Sequence, residues 1–420
     1  MNRLATIVGI GAFSASALAQ GCDFSQVTAL CEGALTGQNV NTPVPGFDLQ
    51  IMHRGVVVYH RSFGSWTLNR VANTDSSTKT IAGAMIMSAT ESSVQPFSLN
   101  SRISDFIPEF DGIKTNITIR QAFSHTSGMR DSNIIASPTL TLRETATQLA
   151  DDPQIFVPGE GFAQPAEYFA YGGASMHAAG AAVEVATGLA WNTMFEQRFT
   201  GPSRLNMRNT RFVLTTPSNP RIAGGCESTA SEFGRFMEML RRGGVFNGQR
   251  YLSRQSVEAM FTRQSPVGVP ILNTPVQISP DGADYGVGVW LISRDASGQL
   301  RTALAAGARG FASWIDFEDQ IVGTFATDIS SSGNLQNLYA LLIAAAETAI
   351  RACRDCDSID FNRDSVFPDD RDIINFFDAL AGGPCPHVVF CDIDFNNNGV
   401  YPEDQDVIDY FSVLAGGSCE

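Results

Sequence analysis

Strand-like alternation occurs at both ends of a long helical stretch in this 420-residue chain, and that separation constrains the fold most. Asp48–His53 and Val56–Ser62 alternate around His53-Arg54-Gly55, which predicts a β-hairpin. Four further strands are expected far downstream, over Tyr285–Arg294, Arg301–Ala306, Phe311–Asp316 and Ile321–Asp328. Between them the spacing of apolar residues is helical from Ser76 onward, over Ala230–Arg242 and over Ser253–Phe261. Glu167–Thr187 begins extended and becomes an Ala/Gly-rich helix, and Leu335–Ala352 closes the series as an amphipathic helix interrupted by Glu347. A hairpin that returns to C-terminal strands, with helices inserted between, is an α/β sandwich built on an antiparallel sheet.

Charge divides the chain. Residues 353–420 hold 15 acidic and 3 basic side chains, whereas the preceding 352 residues hold 28 and 25. An acidic tail argues against nucleic acid as a partner and for cations. Met1–Ala19 has Arg3, an apolar stretch and Ala17-Leu18-Ala19, the pattern of a cleaved secretory signal. A lipoprotein reading competes through Gly21-Cys22, although Ala19 stands where leucine is wanted. Export permits disulfides. Cys22 and Cys31 are expected to pair, and Cys226 is expected as a buried apolar residue. The domain division is 1–19 signal, 20–352 globular domain and 353–420 tail.

Lysine is almost absent: Lys79 and Lys114 stand beside 26 arginines. Lys79 follows Ser76 by three residues at the head of a predicted helix, so both side chains share one face. Serine needs an adjacent base to become a nucleophile, and an amine serves only if burial or positive neighbours lower its pKa. Arginine cannot lose its proton, which explains a lysine here.

Around this pair, Ser76-Ser77-Thr78-Lys79-Thr80, Ile107-Pro108-Glu109-Phe110 and the run Ile117 to Met129 (containing Ser124-His125-Thr126-Ser127-Gly128) form an ordered set. Gly224-Gly225-Cys226-Glu227-Ser228-Thr229-Ala230 and Phe236 through Gly244 extend it. Together they resemble the serine beta-lactamase, penicillin-binding and esterase superfamily, in its class C-like branch, over roughly residues 45–350. The resemblance implies a beta-lactamase/transpeptidase-like fold, an antiparallel sheet flanked by helices plus a helical subdomain. It also implies a tyrosine opposite the serine: Phe169-Ala170-Tyr171-Gly172-Gly173 is similar to the family's segment and puts Tyr171 there. Gly173 stands where the family has asparagine. The third family element, normally Lys-Thr-Gly or His-x-Gly, aligns with Ala305-Ala306-Gly307, or with Ala308-Arg309-Gly310 if the register slips. Ala308 would give an oxyanion N–H together with Ser76, and Gly307 and Arg309 would border the substrate. Arg309 is the one residue of this segment able to replace the missing cation. His125 is expected to be structural, and His53, His60, His177 and His387 have no metal-ligand spacing.

The tail is a tandem repeat in which 360–385 and 394–419 align at an offset of 34 residues. Each copy opens with oxygen ligands at alternate positions, Asp360, Asn362, Asp364 and Asp394, Asn396, Asn398, as in an EF-hand-like calcium loop. The closing acids, Asp372 and Asp406, fall at position 13 instead of 12. The tail resembles dockerin-type modules, which implies calcium and an anchoring partner on a cell surface or scaffold. Repeat symmetry suggests Cys356–Cys385 and Cys391–Cys419. The expected activity is a secreted Ser/Lys/Tyr hydrolase of small esters or amides, carboxylesterase before D-amino-acid peptidase or beta-lactamase, with no catalytic cofactor. A catalytically silent protein that keeps the fold is the alternative from another class.

Overall fold

The computed structural model describes residues 22–152, 166–276, 281–330, 335–352, 356–362, 364, 366, 369–384, 386, 393–396, 400–415 and 419. The expected signal segment and Asn398 lie outside them. The hairpin forms as strands β1 (Gly46–His53) and β2 (Val56–Gly64). Helices α2 (Thr78–Ser92), α3 (Ala174–Thr187) and α4 (Ala230–Arg241) follow α1 (Ser25–Leu35) in the chain. Strands β3 (Trp290–Arg294), β4 (Leu300–Ala306), β5 (Ala312–Asp316) and β6 (Ile321–Ala326) lead into α5 (Gln336–Arg351). The six-stranded sheet has the order β3-β4-β5-β6-β1-β2, antiparallel throughout. The N-terminal hairpin therefore joins the last C-terminal strand, with Asp48 opposite Ala326 and His53 opposite Ile321.

Position in the middle of the sheet explains why β1 is buried along its whole length. Successive side chains of a strand point to opposite faces. Phe47, Leu49 and Ile51 join Phe325, Trp314, Leu338 and Leu342 on the face covered by α1 and α5. Met52 joins Val322, Ile315, Phe233 and Met237 on the face covered by α2 and α4. Gln50 points to that second face, where its amide donates to Ser231 Oγ at 2.7 Å. The domain thus has a sheet between two helical layers, and α2 lies inside the larger layer with every residue from Thr78 to Ala89 buried.

One expected strand is shorter than its pattern. Regular pairing on β3 starts at Trp290, and Tyr285–Val289 is irregular apart from a Tyr285–Trp290 bridge. The reason is a close approach. Gly288 has φ +78°, and a Cβ there would lie 2.1 Å from the Lys79 carbonyl; one on Gly83 would lie 2.2 Å from the Val287 carbonyl. Backbone thus touches backbone where this segment crosses the start of α2, and Thr80 Oγ1 seals it by donating to Gly288 O at 2.9 Å.

In the tail, α6 (Asp370–Leu380) and α7 (Asp404–Leu414) enclose a small core of Phe361, Phe376, Phe395 and Tyr410. Phe376 and Tyr410, equivalent residues of the two repeats, stack at 4.3 Å. Arg54 pairs with Asp357, and Arg254 donates to the carbonyl of Asn362, so the tail touches the main domain. The disulfides differ from expectation. Cys356 bonds Cys419, their Cα atoms 5.6 Å apart, which excludes Cys356–Cys385 and Cys391–Cys419. The bridge ties the two ends of the tandem pair together, because the helices pack face to face, not end to end. Cys22 is disulfide-bonded but not to Cys31, whose thiol is free and buried in the α1 core. Cys226 is also free and buried. Among the described residues no helix is long and apolar enough to cross a membrane.

The Gly288 contact gives a stability test. Gly288→Ala combines left-handed strain, roughly 1–2 kcal/mol, with overpacking of about 1–3 kcal/mol. Gly298→Ala, at φ +86° with open space around it, meets the strain alone. Urea unfolding should show the larger loss at Gly288; equal losses would remove the packing explanation.

Candidate active site

Ser76 is presented by a turn, not by regular helix. The strand Ala72–Asn73 pairs with Cys226–Ser228, then a 3₁₀ turn over Asp75–Ser77 leads into α2. Asp75 has φ +44°, a conformation that non-glycine residues rarely adopt. The neighbouring hydroxyls hold this turn. Ser77 Oγ donates to Phe311 O at 3.0 Å, and Thr78 Oγ1 contacts Thr74 Oγ1 at 2.9 Å and accepts from the Cys226 N–H at 3.1 Å. Each ties the turn to a different segment, which leaves the Ser76 hydroxyl to the cavity.

Lys79, 4% exposed, places Nζ 3.1 Å from Ser76 Oγ and donates to Ala223 O at 2.9 Å. Burial pushes its pKa down to about 7; Asp131 and Asp75 pull it back up, while Arg221 pushes it further down. The amine is therefore poised to take a proton near neutrality. The other lysine, Lys114, is structural. It donates to the carbonyls of Leu149 and Asp152 at 3.1 and 3.0 Å, closing a helix C-terminus.

Tyr171 completes the group. Its side chain faces Ser76 in the same cavity, burial pushes the phenol pKa well up while Ser76 pulls it down, and its ring centroid lies 4.5 Å from Lys79 Nζ. The ring stacks on Trp290 at 5.4 Å and packs against His125 at 4.3 Å. His125 is buried, held neutral by burial and by Lys79, and accepts from the Gly172 N–H at 3.4 Å. It forms a wall behind the tyrosine.

Ser76, Lys79, Tyr171, Gly173, Ala308 and Arg309 all line one cavity of about 460 Å³. Among the described residues neither the Ser76 nor the Ala308 N–H has an internal acceptor, so both are available to an oxyanion. Gly307 is used differently from expectation. Its N–H donates to Phe311 O at 2.7 Å, and the absence of a side chain lets it lie against the Thr74 carbonyl, 2.3 Å from where a Cβ would stand. Arg309 borders the cavity but is committed. It donates to Asp75 through Nε at 2.9 Å, a terminal nitrogen at 2.8 Å and its backbone N–H at 3.0 Å, and it pairs with Asp328 at 3.2 Å. It therefore does not stand as the free replacement for the family's cation.

Three cavity residues carry no sequence motif. Asn273 holds the Tyr171 backbone from both sides: its carbonyl accepts from the Tyr171 N–H at 3.1 Å and its amide donates to Tyr171 O at 3.0 Å. Asp131 accepts from the Gly173 N–H at 3.0 Å, and Ile135 and Ala223 fill the space that a side chain on residue 173 would take. Arg221 enters from the turn that also carries Ala223. Asp131 and Arg221 come from loops and Asn273 from the short strand Ile271–Asn273, and their meeting is set by the fold, so local patterning gives no signal for them.

In the tail, Asp360, Asn362, Asp372, Asp394, Asn396 and Asp406 are all buried. Asp364 N–H donates to Asn362 Oδ1 at 2.9 Å, and Asn362 N–H to Asp372 Oδ1 at 3.2 Å, which closes the first loop around its oxygens. Burial raises the pKa of Asp372 and Asp406, and among the described residues Asp406 Oδ1 is buried with no hydrogen-bond partner. Buried carboxylate and amide oxygens of this kind have the donor chemistry that a hard cation takes.

A family model described as Beta-lactamase matches residues 33–347. Solved structures share the fold. One, named as a candidate beta-lactamase from Bacteroides dorei, is 22% identical with TM-score 0.66, covering 78% of this chain and 99% of that one. EstCE1, named as a hydrolase with promiscuous acyltransferase activity, is 18% identical with TM-score 0.60, covering 77% and 97%. A family VIII carboxylesterase is 15% identical with TM-score 0.59, covering 78% and 97%. No curated protein matches the chain in sequence.

The Asp75–Arg309 fork links the serine turn to the turn bearing Ala308. An ion pair this exposed contributes at most about 1 kcal/mol to stability. Arg309→Ala should leave the thermal midpoint nearly unchanged yet slow fluorophosphonate uptake by Ser76 about tenfold or more, by loosening both N–H donors. Arg309→Lys should not restore it, since an ammonium cannot make the fork. An unchanged labelling rate would refute this link.

Proposed function

The chain belongs to the beta-lactamase family, and from that premise we propose that it is a serine hydrolase of the carboxylesterase type, working through an acyl-enzyme on Ser76. The supporting observation is the buried Lys79 amine 3.1 Å from Ser76 Oγ, its pKa down to about 7, with Tyr171 lining the same cavity. Neutral Lys79 accepts the serine proton as Oγ attacks the carbonyl carbon. The N–H groups of Ser76 and Ala308 receive the oxyanion. Tyr171, beside Ser76 and kept protonated by burial, passes the proton to the leaving group. Water then attacks the acyl-enzyme with Lys79 again as base.

Ester is favoured over lactam because the third-element turn offers no free cation: Arg309 is held by Asp75 and Asp328. Two further parts of the proposal concern the ends of the chain. Met1–Ala19 acts as a secretory signal, and residues 353–420 form a dockerin-like module that attaches the enzyme to a surface or scaffold. In that module Asp360, Asn362, Asp364 and Asp372, and Asp394, Asn396, Asn398 and Asp406, would hold calcium. The ion would supply positive charge that these buried oxygens otherwise lack.

Short 4-nitrophenyl esters should be hydrolysed, a chromogenic cephalosporin poorly or not at all, and Ser76→Ala should abolish the activity. Labelled but inactive protein would support a D-amino-acid peptidase; no label and no turnover would leave the silent binding protein.

The pH profile follows from Lys79. Below its pKa the amine is an ammonium and cannot accept a proton, so kcat/KM should rise through about pH 7 and level above it. Substituting Lys79→Arg should remove about 10²–10⁴-fold of the rate at every pH. An acid limb far below neutrality would reject Lys79 as the base.

Calorimetric titration of the full chain with calcium should give heat and raise its thermal midpoint, and the double variant Asp372→Asn/Asp406→Asn should lose both. No heat in the parent protein would reject the cation reading.

A further inference from the structure

Arg221 is the one guanidinium lining the catalytic cavity that, among the described residues, makes no side-chain hydrogen bond or ion pair. It is half-buried on a tight turn: its carbonyl accepts from the Gly224 N–H at 3.2 Å, and a Cβ on Gly225 would lie 2.6 Å from that same carbonyl. Two residues on, Ala223 O accepts from Lys79. The turn that fixes the catalytic amine thus also fixes this cation. Its charge reaches the reacting amine, since it depresses the pKa of Lys79.

The nearby anions do not satisfy it. Asp75 is taken by Arg309, and Asp131 lies at the exposed rim, accepting from the backbone of Gly173 and Ser132. A guanidinium in a partly dry cavity without an anion is unfavourable, and its planar fork matches a carboxylate. Resting on the hydrolase reading above, we propose that Arg221 anchors a carboxylate carried by the substrate, so that the enzyme acts on acidic esters. This anchor belongs to a different loop from the third-element turn of Ala308 and Arg309. It therefore restores substrate charge recognition from another side of the cavity.

Two matched pairs of substrates test it: 4-nitrophenyl hexanoate against mono-(4-nitrophenyl) adipate, and phenyl acetate against 3-acetoxybenzoate. They place the carboxylate on the acyl or the leaving-group side. The native enzyme should prefer the anionic member of at least one pair by about 10- to 100-fold in kcat/KM, the worth of a charge-assisted contact. Because Arg221 also lowers the pKa of Lys79, the ratio within each pair at one pH is the quantity to follow. Arg221→Ala should bring that ratio near one through KM, and Arg221→Lys should keep part of the preference. A native enzyme without preference in either pair, or a ratio unmoved in Arg221→Ala, overturns the proposal. If fluorophosphonate fails to label Ser76 and no ester turns over, the hydrolase reading has failed, and binding decides the anchor separately. In the Ser76→Ala protein, calorimetric binding of 3-acetoxybenzoate or the adipate monoester that vanishes on adding Arg221→Ala supports the anchor, and no binding overturns it.

Discussion

Removal of the Lys79 amine from water is the constraint on which the site depends. An exposed lysine holds its proton far above neutrality and cannot serve as a base. Here desolvation is the largest cause of the lowered pKa, and it follows from placing α2 inside the domain instead of on its surface. Val287 and Gly288 lie on the first turns of α2 with backbone contact at Gly83 and Lys79. The Ala223 carbonyl then gives the amine a polar partner without giving it a counter-charge. A carboxylate in that position would have held the proton on.

Opposing charges tune the same amine. Asp75 adjoins Ser76 and raises the Lys79 pKa, as does Asp131. Arg309 grips Asp75 with a fork and a backbone N–H, so the acid beside the serine is both neutralised and oriented. One ion pair thus holds the left-handed turn before Ser76, fixes the turn carrying Ala308, and limits the pull of Asp75 on the base. Arg221 contributes in the same direction from the other loop.

Much of this is legible in the chain because it is written locally. Alternation marks the hairpin and the strands from Arg301 onward, and lysine scarcity points to Lys79 before any fold is considered. Tyr171 comes from a motif resemblance, and its reach to Ser76 depends on Asn273, distant in sequence, which pairs with its backbone. Asp131, Asn273 and Arg221 are not legible: they sit in loops or, for Asn273, at the end of a three-residue strand, and only packing of distant segments makes them neighbours. The Tyr285–Val289 stretch fails as a strand for a related reason. Its glycines answer to a helix crossing, a contact that β-periodicity does not encode. The expected disulfide partners fail because symmetry of sequence suggests two local loops, whereas the two helices pack side by side and bring the far ends together.

The tail shows how a repeat can specify its own core. Phe361 and Phe395, and Phe376 and Tyr410, stand at equivalent places in the two copies, and each copy lends an aromatic pair to a single cluster. One copy alone would expose those rings, so the pair is the smallest unit that buries them. The same helix packing turns Asp372 and Asp406 inward, where burial raises their pKa. A carboxylate forced into a dry position by the fold must be protonated, paired or bound to a cation, and the oxygens around it are acceptors, not donors. Arg242 lies 3.8 Å from Asp360 and offers the first loop positive charge from the body. A cation in that loop and the arginine would address the same carboxylate. Filling the loop would therefore alter the contact between tail and body.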